Sequence, residues 1–519
     1  MVDRVVPDTP GAGRCHHYVA NKGRCCPFTT KGGAEYCREH AAMHGDKGSS
    51  AADSPGSTKA LLSGSRRVLC PYDTSHSVEL GKLERHMRSL CNARPPEIRP
   101  PYTHPDCNVA SLPPAYSSDS CAEPSRLWSE EGLAASDARL MLKPGELIYL
   151  NASHGTQVKL NDLGSESVAQ ILRPVVELYL SRVSPNAANL RSRSLEELLD
   201  MVSLEDDFPL DCRAHPLLAK AQSTSKHAKH TMQQSSLLGH LEDRGCLNPQ
   251  NAFIEFGAGK GELSVFVHEA LASKKPSNSS SPSSIFLVDR KNFRQKYSVE
   301  KTSNCQTPQD QFKRIYIDIR DLDLSKVPEL QITDPATGML GLRPIVAYSK
   351  HLCGAATDLT IRCLQRYQDA GGSVAGIAIA LCCHHCCKYS MYTNLAYLSQ
   401  TLALAAGANN SIDYSRSDAA WNGSHRNMFR QISAMSSWAV NAPPPPLLSQ
   451  APESGTEPHH SGLTYAQRMR AGHAVKRALD LGRLEYVRRS LGMANAELVY
   501  FTPRTTSPEN LSLIGTEIG

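Results

Sequence analysis

Three short segments hold residue types that can do chemistry. Ile254-Glu255-Phe256-Gly257-Ala258-Gly259-Lys260-Gly261 sets an acid, Glu255, near the end of an apolar run and follows it with three spaced glycines. Glycine has no Cβ and tolerates positive φ, so such a turn lets backbone come close to a nucleotide-like ligand. Lys350-His351-Leu352-Cys353-Gly354 puts two titratable side chains after the apolar run Ile345–Ser349. Either Lys350 or His351 can take a proton or stabilise a developing alkoxide. Cys382-Cys383-His384-His385-Cys386-Cys387 follows another apolar run. Six consecutive residues cannot all face one metal, because strand side chains alternate sides. Residues just past a strand's C-terminal end face the ligand crevice of an open α/β sheet. An active-site loop is therefore favoured over a third metal site, a packed Cys-rich turn being the other reading, and His384 or His385 is the alternative base.

The glycine turn alone suits a nicotinamide enzyme, a flavoprotein or an enzyme using S-adenosylmethionine (SAM). SAM calls for an acid after the second strand for the ribose hydroxyls and another after the third near the adenine. Asp289 and Asp318 stand at the ends of the next two strand-like runs. Asp289 lies 32 residues after Gly257, against about 20 in a tight unit. The Ser-rich insertion Ser273–Ser284 accounts for the excess. Glu255 also suits SAM better than NAD, because a buried acid there orients the turn. Glu255, Gly257, Gly259, Gly261, Asp289 and Asp318 are the expected cofactor residues.

Two Cys/His clusters precede this region. Cys15, Cys26, Cys37 and His40 follow a C-x10-C-x10-C-x2-H spacing, with Cys25 a rival for Cys26. Cys70, His76, His86 and Cys91 follow C-x5-H-x9-H-x4-C, with Leu80, Leu83 and Met87 at helical spacing between them. Four such ligands suit tetrahedral zinc, which holds together segments too small to bury a core. About two structural zinc ions are expected, both before residue 96, and none beyond.

The elements that must position these groups begin at Ala252. Strands are expected at Ala252–Phe256, Ile285–Asp289, Arg314–Asp318, Ile345–Ser349, Val374–Leu381 and Glu497–Phe501. Helices are expected at Glu262–Ala272, Ala355–Tyr367, Asn394–Ala405 and Tyr465–Arg489. The alternation predicts a doubly wound α/β sheet. Polar insertions at Ser273–Ser284, Lys301–Gln311 and about Ala442–Gly462 fall in loops. The expected division is zinc modules at 10–44 and 66–95, an extended linker at 96–138, a helical region at 139–245 packed with the α/β domain, and that domain at 246–505.

The chain has 519 residues, 17 cysteines and a formal net charge of +5. That balance permits a nucleic-acid partner without requiring one. No apolar run reaches the roughly 18 residues of a transmembrane helix, so no membrane partner is expected. The start, MVDRVVPDTP, lacks the apolar stretch of a secretory signal. The cysteines are therefore expected in a reducing compartment, as metal ligands or buried thiols.

Several motifs in order resemble the eukaryotic tRNA 2'-O-methyltransferases of the Trm-thirteen type. They are Cys15…Arg24-Cys25-Cys26…Tyr36-Cys37-Arg38-Glu39-His40, similar to that family's CCCH zinc finger, and Leu69-Cys70-Pro71-Tyr72-Asp73…His76…His86…Cys91-Asn92, similar to its CHHC finger. Lys229-His230…Gln233-Gln234-Ser235-Ser236-Leu237, Tyr348–Gly354, Cys382–Cys386 and Gly482–Val487 follow. The family's Arg-x-Cys spacing selects Cys26 over Cys25, while the last CHHC interval is one residue longer than the family pattern. The resemblance implies a Rossmann-like SAM-dependent methyltransferase fold behind two zinc modules. It implies methyl transfer to a ribose 2'-hydroxyl of the tRNA acceptor stem, at nucleotide position four, inside the cell in nucleus or cytoplasm. A different class of reading is a non-catalytic, spliceosome-associated RNA-binding scaffold with a degenerate α/β domain. The intact glycine turn and Asp289 argue against it.

Overall fold

The structure is a computed structural model. It describes residues 14–16, 18–19, 24–25, 30, 35, 67–71, 77–91, 100–109, 160, 163–184, 189–218, 228–274, 284–290, 312–333, 338–405, 419–440 and 459–517. The chain forms two compact units, Met1–Val68 with Glu79–Gly81, and Leu69–Val78 with Lys82–Gly519. In the first unit Tyr18–Val19 pairs antiparallel with Arg24–Cys25, and Cys15 is fully buried. Cys26, Cys37 and His40 lie outside the described residues, as does His76.

The second unit is built on a seven-stranded sheet. Its strands are β1 (Ala252–Phe256), β2 (Ile285–Asp289), β3 (Phe312–Tyr316), β4 (Ile345–Cys353), β5 (Val374–Cys382), β6 (Glu497–Tyr500) and β7 (Leu511–Thr516). Their order across the sheet is β6-β7-β5-β4-β1-β2-β3. The first five run parallel. β7 runs antiparallel to β5 and to β6. β1 is apolar at four of five positions and buried at all five, as a strand covered on both faces must be.

Alternate strand residues feed two cores. Phe253, Leu287, Val346 and Tyr348 pack with helices α3 (Ala228–Asp243) and α4 (Glu262–Lys274). Ile254, Val288, Ala347 and Ile379 pack with helix α5 (Ala355–Asp369) and the end of α8 (Tyr465–Ser490). A third core joins α1 (Ser165–Val183), α2 (Leu195–Asp200), α6 (Leu395–Ala405), α7 (Ala419–Met435) and α8. In α1, Val168, Ile171, Leu172, Val175, Val176, Tyr179 and Leu180 are buried, a three-and-four spacing that makes one helical stripe. No helix among the described residues is long and apolar enough to cross a membrane.

Three differences from the sequence expectation bear on the site. β3 starts and ends two residues earlier than expected, so Asp318 lies beyond the strand. There it caps the turn Ile319–Asp321, accepting the Arg320 N–H at 3.1 Å. β4 continues through Cys353, so Lys350 and His351 belong to the strand itself. The sheet extends past residue 505, because β7 inserts between β5 and β6. Ser512 and Gly515 break up the apolar run of β7 and mask its period. Asn422-Gly423-Ser424, turn formers in most contexts, similarly hide α7. The described part of the Pro-rich segment is seated on the α/β domain. Asn108 Nδ2 donates to Ile319 O at 2.6 Å and to Leu322 O at 2.8 Å.

Candidate active site

Chain order reverses between β1 and β4, and the crevice of an open sheet forms at such a point, beyond the strand C-termini. The Gly257–Gly261 turn and the Lys350–Cys353 end of β4 meet there. Gly257 has φ +63° and no room for a side chain, since a Cβ would lie 2.9 Å from His351 O. Gly259 also has positive φ, +53°, yet its Cβ would face open space. Its N–H donates to Asp289 Oδ2 at 2.9 Å. Arg314 clamps the turn from β3, donating to Gly259 O at 2.8 Å and Lys260 O at 3.0 Å. The result is a fixed loop with an acid at one side and open space above, the shape a nucleoside ligand requires.

Glu255 lies beneath the turn, 4% exposed. Its Oε2 accepts from Ser264 N at 3.2 Å and Ser264 Oγ at 2.5 Å. Ser264 Oγ also lies 2.7 Å from Tyr348 OH. Burial pushes the Glu255 carboxyl up to about 7 against these bonds. The group ties β1 to the first turn of α4 and to β4, which sets the turn's direction.

Lys350 lies two residues on from Tyr348. Its Nζ sits 3.1 Å from His230 Nδ1. Burial lowers the Lys350 pKa, opposed by the charges of Glu262 and Glu255. Gln234 Nε2 donates to Glu262 Oε2 at 3.4 Å. His230 and Gln234 are one helical turn apart, so α3 presents both to this corner. The sequence alone assigned neither a role. The available signal was their i,i+4 spacing on the helix that leads into β1.

His351 contacts another group. Its Nδ1 is 3.2 Å from Cys382 Sγ and its Nε2 is 3.4 Å from Cys353 Sγ. His384 is not brought to the crevice. It is 1% exposed, with Nε2 2.6 Å from Asp480 Oδ1. Asp318 has Arg290 Nη1 3.7 Å from its Oδ2.

Among the N-terminal ligand candidates, Cys70, His86 and Cys91 converge. Cys70 and Cys91 Sγ are 3.4 Å apart, and His86 Nε2 is 3.2 Å from Cys70 Sγ. Both cysteines are buried. Two thiols and an imidazole at these separations fit a zinc ion, whose thiolate ligands stand about 3.7 Å from one another in a tetrahedron.

Residues 232–516 match the family model described as methyltransferase TRM13. The chain belongs to the TRM13 methyltransferase family. The TRM13 match runs from α3 to the last residue of β7, so it covers the sheet, the glycine turn and the Lys350 corner. Residues 13–41 match the CCCH zinc finger of TRM13 proteins, and the chain carries that finger. Among curated relatives, the tRNA:m(4)X modification enzyme TRM13 of Eremothecium gossypii is 29% identical over 97% of this chain and 95% of its own. The Saccharomyces cerevisiae TRM13 is 25% identical over 96% and 95%. The Homo sapiens homolog is 26% identical over 98% and 95%. No solved structure matches the chain.

Proposed function

We propose that the chain is a SAM-dependent tRNA methyltransferase acting on the ribose 2'-hydroxyl of acceptor-stem position four. The observation that carries the reading is the Gly257–Gly261 turn, anchored by Asp289, with Lys350 of β4 in the same crevice. The sheet order, with its reversal between β1 and β4 and its antiparallel β7, supports a Rossmann-like methyltransferase fold. The relatives' name, tRNA:m(4)X modification enzyme, supports a tRNA substrate, and position four is carried over from the family resemblance. A tRNA substrate implies work in the nucleus or cytoplasm.

The residues present fit SAM. The open space at Gly259 leaves room for the nucleoside, and Asp289 at the end of β2, bonded to Gly259 N, is assigned to the ribose hydroxyls. Gly257 and Gly261 shape the turn, Glu255 sets its direction, and Asp318, beyond β3, is assigned to the adenine. SAM supplies an electrophilic methyl group when bound. The chain must hold the 2'-oxygen in line and help its proton leave. Lys350 is the group positioned for both tasks, with His230 on its Nζ. A-form RNA displays its 2'-hydroxyls in a wide, shallow minor groove, so a stem ribose is reached without flipping a base.

Zinc fits the N-terminal modules. Cys15, Cys26, Cys37 and His40 are assigned to the CCCH finger, and Cys70, His76, His86 and Cys91 to a CHHC finger. Their basic residues serve to hold the tRNA. The deciding experiment incubates the chain with tritiated SAM and total tRNA and maps the labelled nucleoside. Label on the 2'-oxygen at position four is expected. Label on a base, or at another position, overturns the site assignment. Absence of SAM binding by calorimetry returns the scaffold reading.

A further inference from the structure

Beside Lys350 stands a side-chain cluster that the methyl-transfer reading does not use. His351 lies where the register of β4 is broken by a bulge between Ser349 and Leu352, and its Nε2 stands 3.4 Å from Cys353 Sγ. Cys353 pairs with Cys382 in the register of the adjacent strand β5. Cys383 follows in the left-handed region, with φ +51°, a conformation that costs a non-glycine residue about 1 kcal/mol. The ligand atoms of these four residues lie within 4.8 Å of one another.

We propose that His351, Cys353, Cys382 and Cys383 form a third zinc site, which ties the C-terminal ends of β4 and β5 together behind the reaction crevice.

The donor set is three thiols and one imidazole, a combination found in structural zinc centres. His351 stands 3.2 Å from one sulfur and 3.4 Å from another. Closing around a zinc ion requires ligand separations of about 3.7 Å, so no backbone need move far. The backbone is shaped for the convergence. Gly354 has φ +50°, and a Cβ there would lie 2.6 Å from the Cys386 carbonyl carbon. Its N–H donates to Cys382 O at 3.2 Å. Only glycine lets the turn after β4 close against the turn after β5. The Cys70–His86–Cys91 group has the same kind of geometry, so the chain shows this arrangement twice among its described residues.

The proposal departs from the sequence expectation of no zinc beyond residue 96. That expectation treats residues 382–387 as one run, in which six neighbours cannot face one ion. The site instead takes two ligands from that run and two from a strand some thirty residues earlier, brought alongside by parallel pairing. His351 then holds metal, and Lys350 is left as the group facing substrate. The site does not depend on the methyl-transfer reading, because its test reads zinc and not activity.

The test uses the full chain, expressed in zinc-supplemented medium and purified under reducing conditions. Elemental analysis should find three zinc ions per chain. Cys383→Asn should hold two, because asparagine tolerates the left-handed conformation while removing the thiolate. Circular dichroism should show the variant folded. Cys353→Ser with Cys382→Ser should also hold two. In the cobalt-substituted protein, thiolate-to-cobalt charge-transfer absorption should drop by about three-eighths in each variant, as about three of the eight metal-bound thiolates are lost. Two zinc ions in both the unaltered chain and Cys383→Asn would overturn the site. So would three in all of them. A Cys353–Cys382 disulfide by mass spectrometry, with two zinc ions, would overturn it in favour of a redox pair.

Discussion

Single residues divide into those whose partners are close in sequence and those whose partners are not. The glycine turn after Glu255 was legible because a strand, a turn and a helix start form one local unit, and Asp289, 30 residues from Gly259, because it ends the next strand. Arg314 and His230 were not, since their partners lie 55 and 120 residues away. Gly259 offers the cleanest test of the cofactor site. Its positive φ and open Cβ space mean that Gly259→Asn should fold, because asparagine tolerates that conformation. The new side chain would occupy the ligand's space. Calorimetry should show SAM affinity lower by about tenfold or more, a loss of about 1.4 kcal/mol, with little change in the thermal midpoint. Unchanged affinity would place the cofactor elsewhere. Lys350→Ala should lower the methylation rate by about 100-fold or more, with tRNA affinity little altered. Weakened tRNA binding with a normal rate at saturating tRNA would make Lys350 a phosphate-binding group.

At the scale of elements, α8 explains why the Cys382–Cys387 turn stays where it is. A helix reading GHAVKRALDLGRL looks solvent-facing on one side, yet His473, Lys476, Arg477, Asp480 and Arg483 are all buried. Asp480 accepts from His384 at 2.6 Å, from Arg477 at 2.9 Å and from Arg483 at 3.2 Å. Arg483 in turn donates to Asp358 of α5 at 2.7 Å. The network joins α8, α5 and the turn after β5. The helix was expected at Tyr465–Arg489, and the structure adds its cap, the Thr464 side chain accepting from Gln467 N. Its buried charges were not legible, because pairing partners come from four other places in the chain, Asp207, Asp358, His384 and Glu509. His384 looked catalytic in sequence for the same reason: nothing local reveals Asp480. Asp480→Ala should lower stability by about 3–5 kcal/mol, since it strands buried arginines. Removal of the surface pair by Arg470→Ala, which frees Asp200, should cost under about 1 kcal/mol. Urea unfolding of the two variants side by side checks this, and equal small losses would show that the network is not a brace.

The whole molecule combines a pH-sensitive core with a basic N-terminal region. His473 is fully buried against Asp207, with Nε2 2.9 Å from Oδ2, and burial pushes its pKa from 6.5 down to about 4. Asp207 stays ionised, because bonds from His473 and Tyr500 and the Arg477 charge outweigh its burial and hold it at about 2. The unfolded chain takes a proton on His473 below about 6.5, while the native chain waits until about 4. Stability is therefore full above pH 6.5 and falls as pH drops toward 4, by at most about 3 kcal/mol from this group. His473→Gln should flatten the dependence of unfolding free energy on pH in that window by about one proton's worth. A slope unchanged from the parent chain would mean that His473 is already charged in the fold. Binding of tRNA is tested at the other end of the chain. Arg85 and Arg88 lie on either side of His86 and are exposed, Arg88 pairing with Glu84 at 2.5 Å. Every phosphate that a protein no longer neutralises lowers the slope of log affinity against log salt by about 0.7–0.9. Arg85→Ala with Arg88→Ala should therefore weaken tRNA binding and flatten its salt dependence by up to about twice that. The rate at saturating tRNA should stay normal, the reverse of Lys350→Ala. A variant that binds tRNA with unchanged affinity and salt slope would take RNA binding away from Arg85 and Arg88, which would then serve solubility alone.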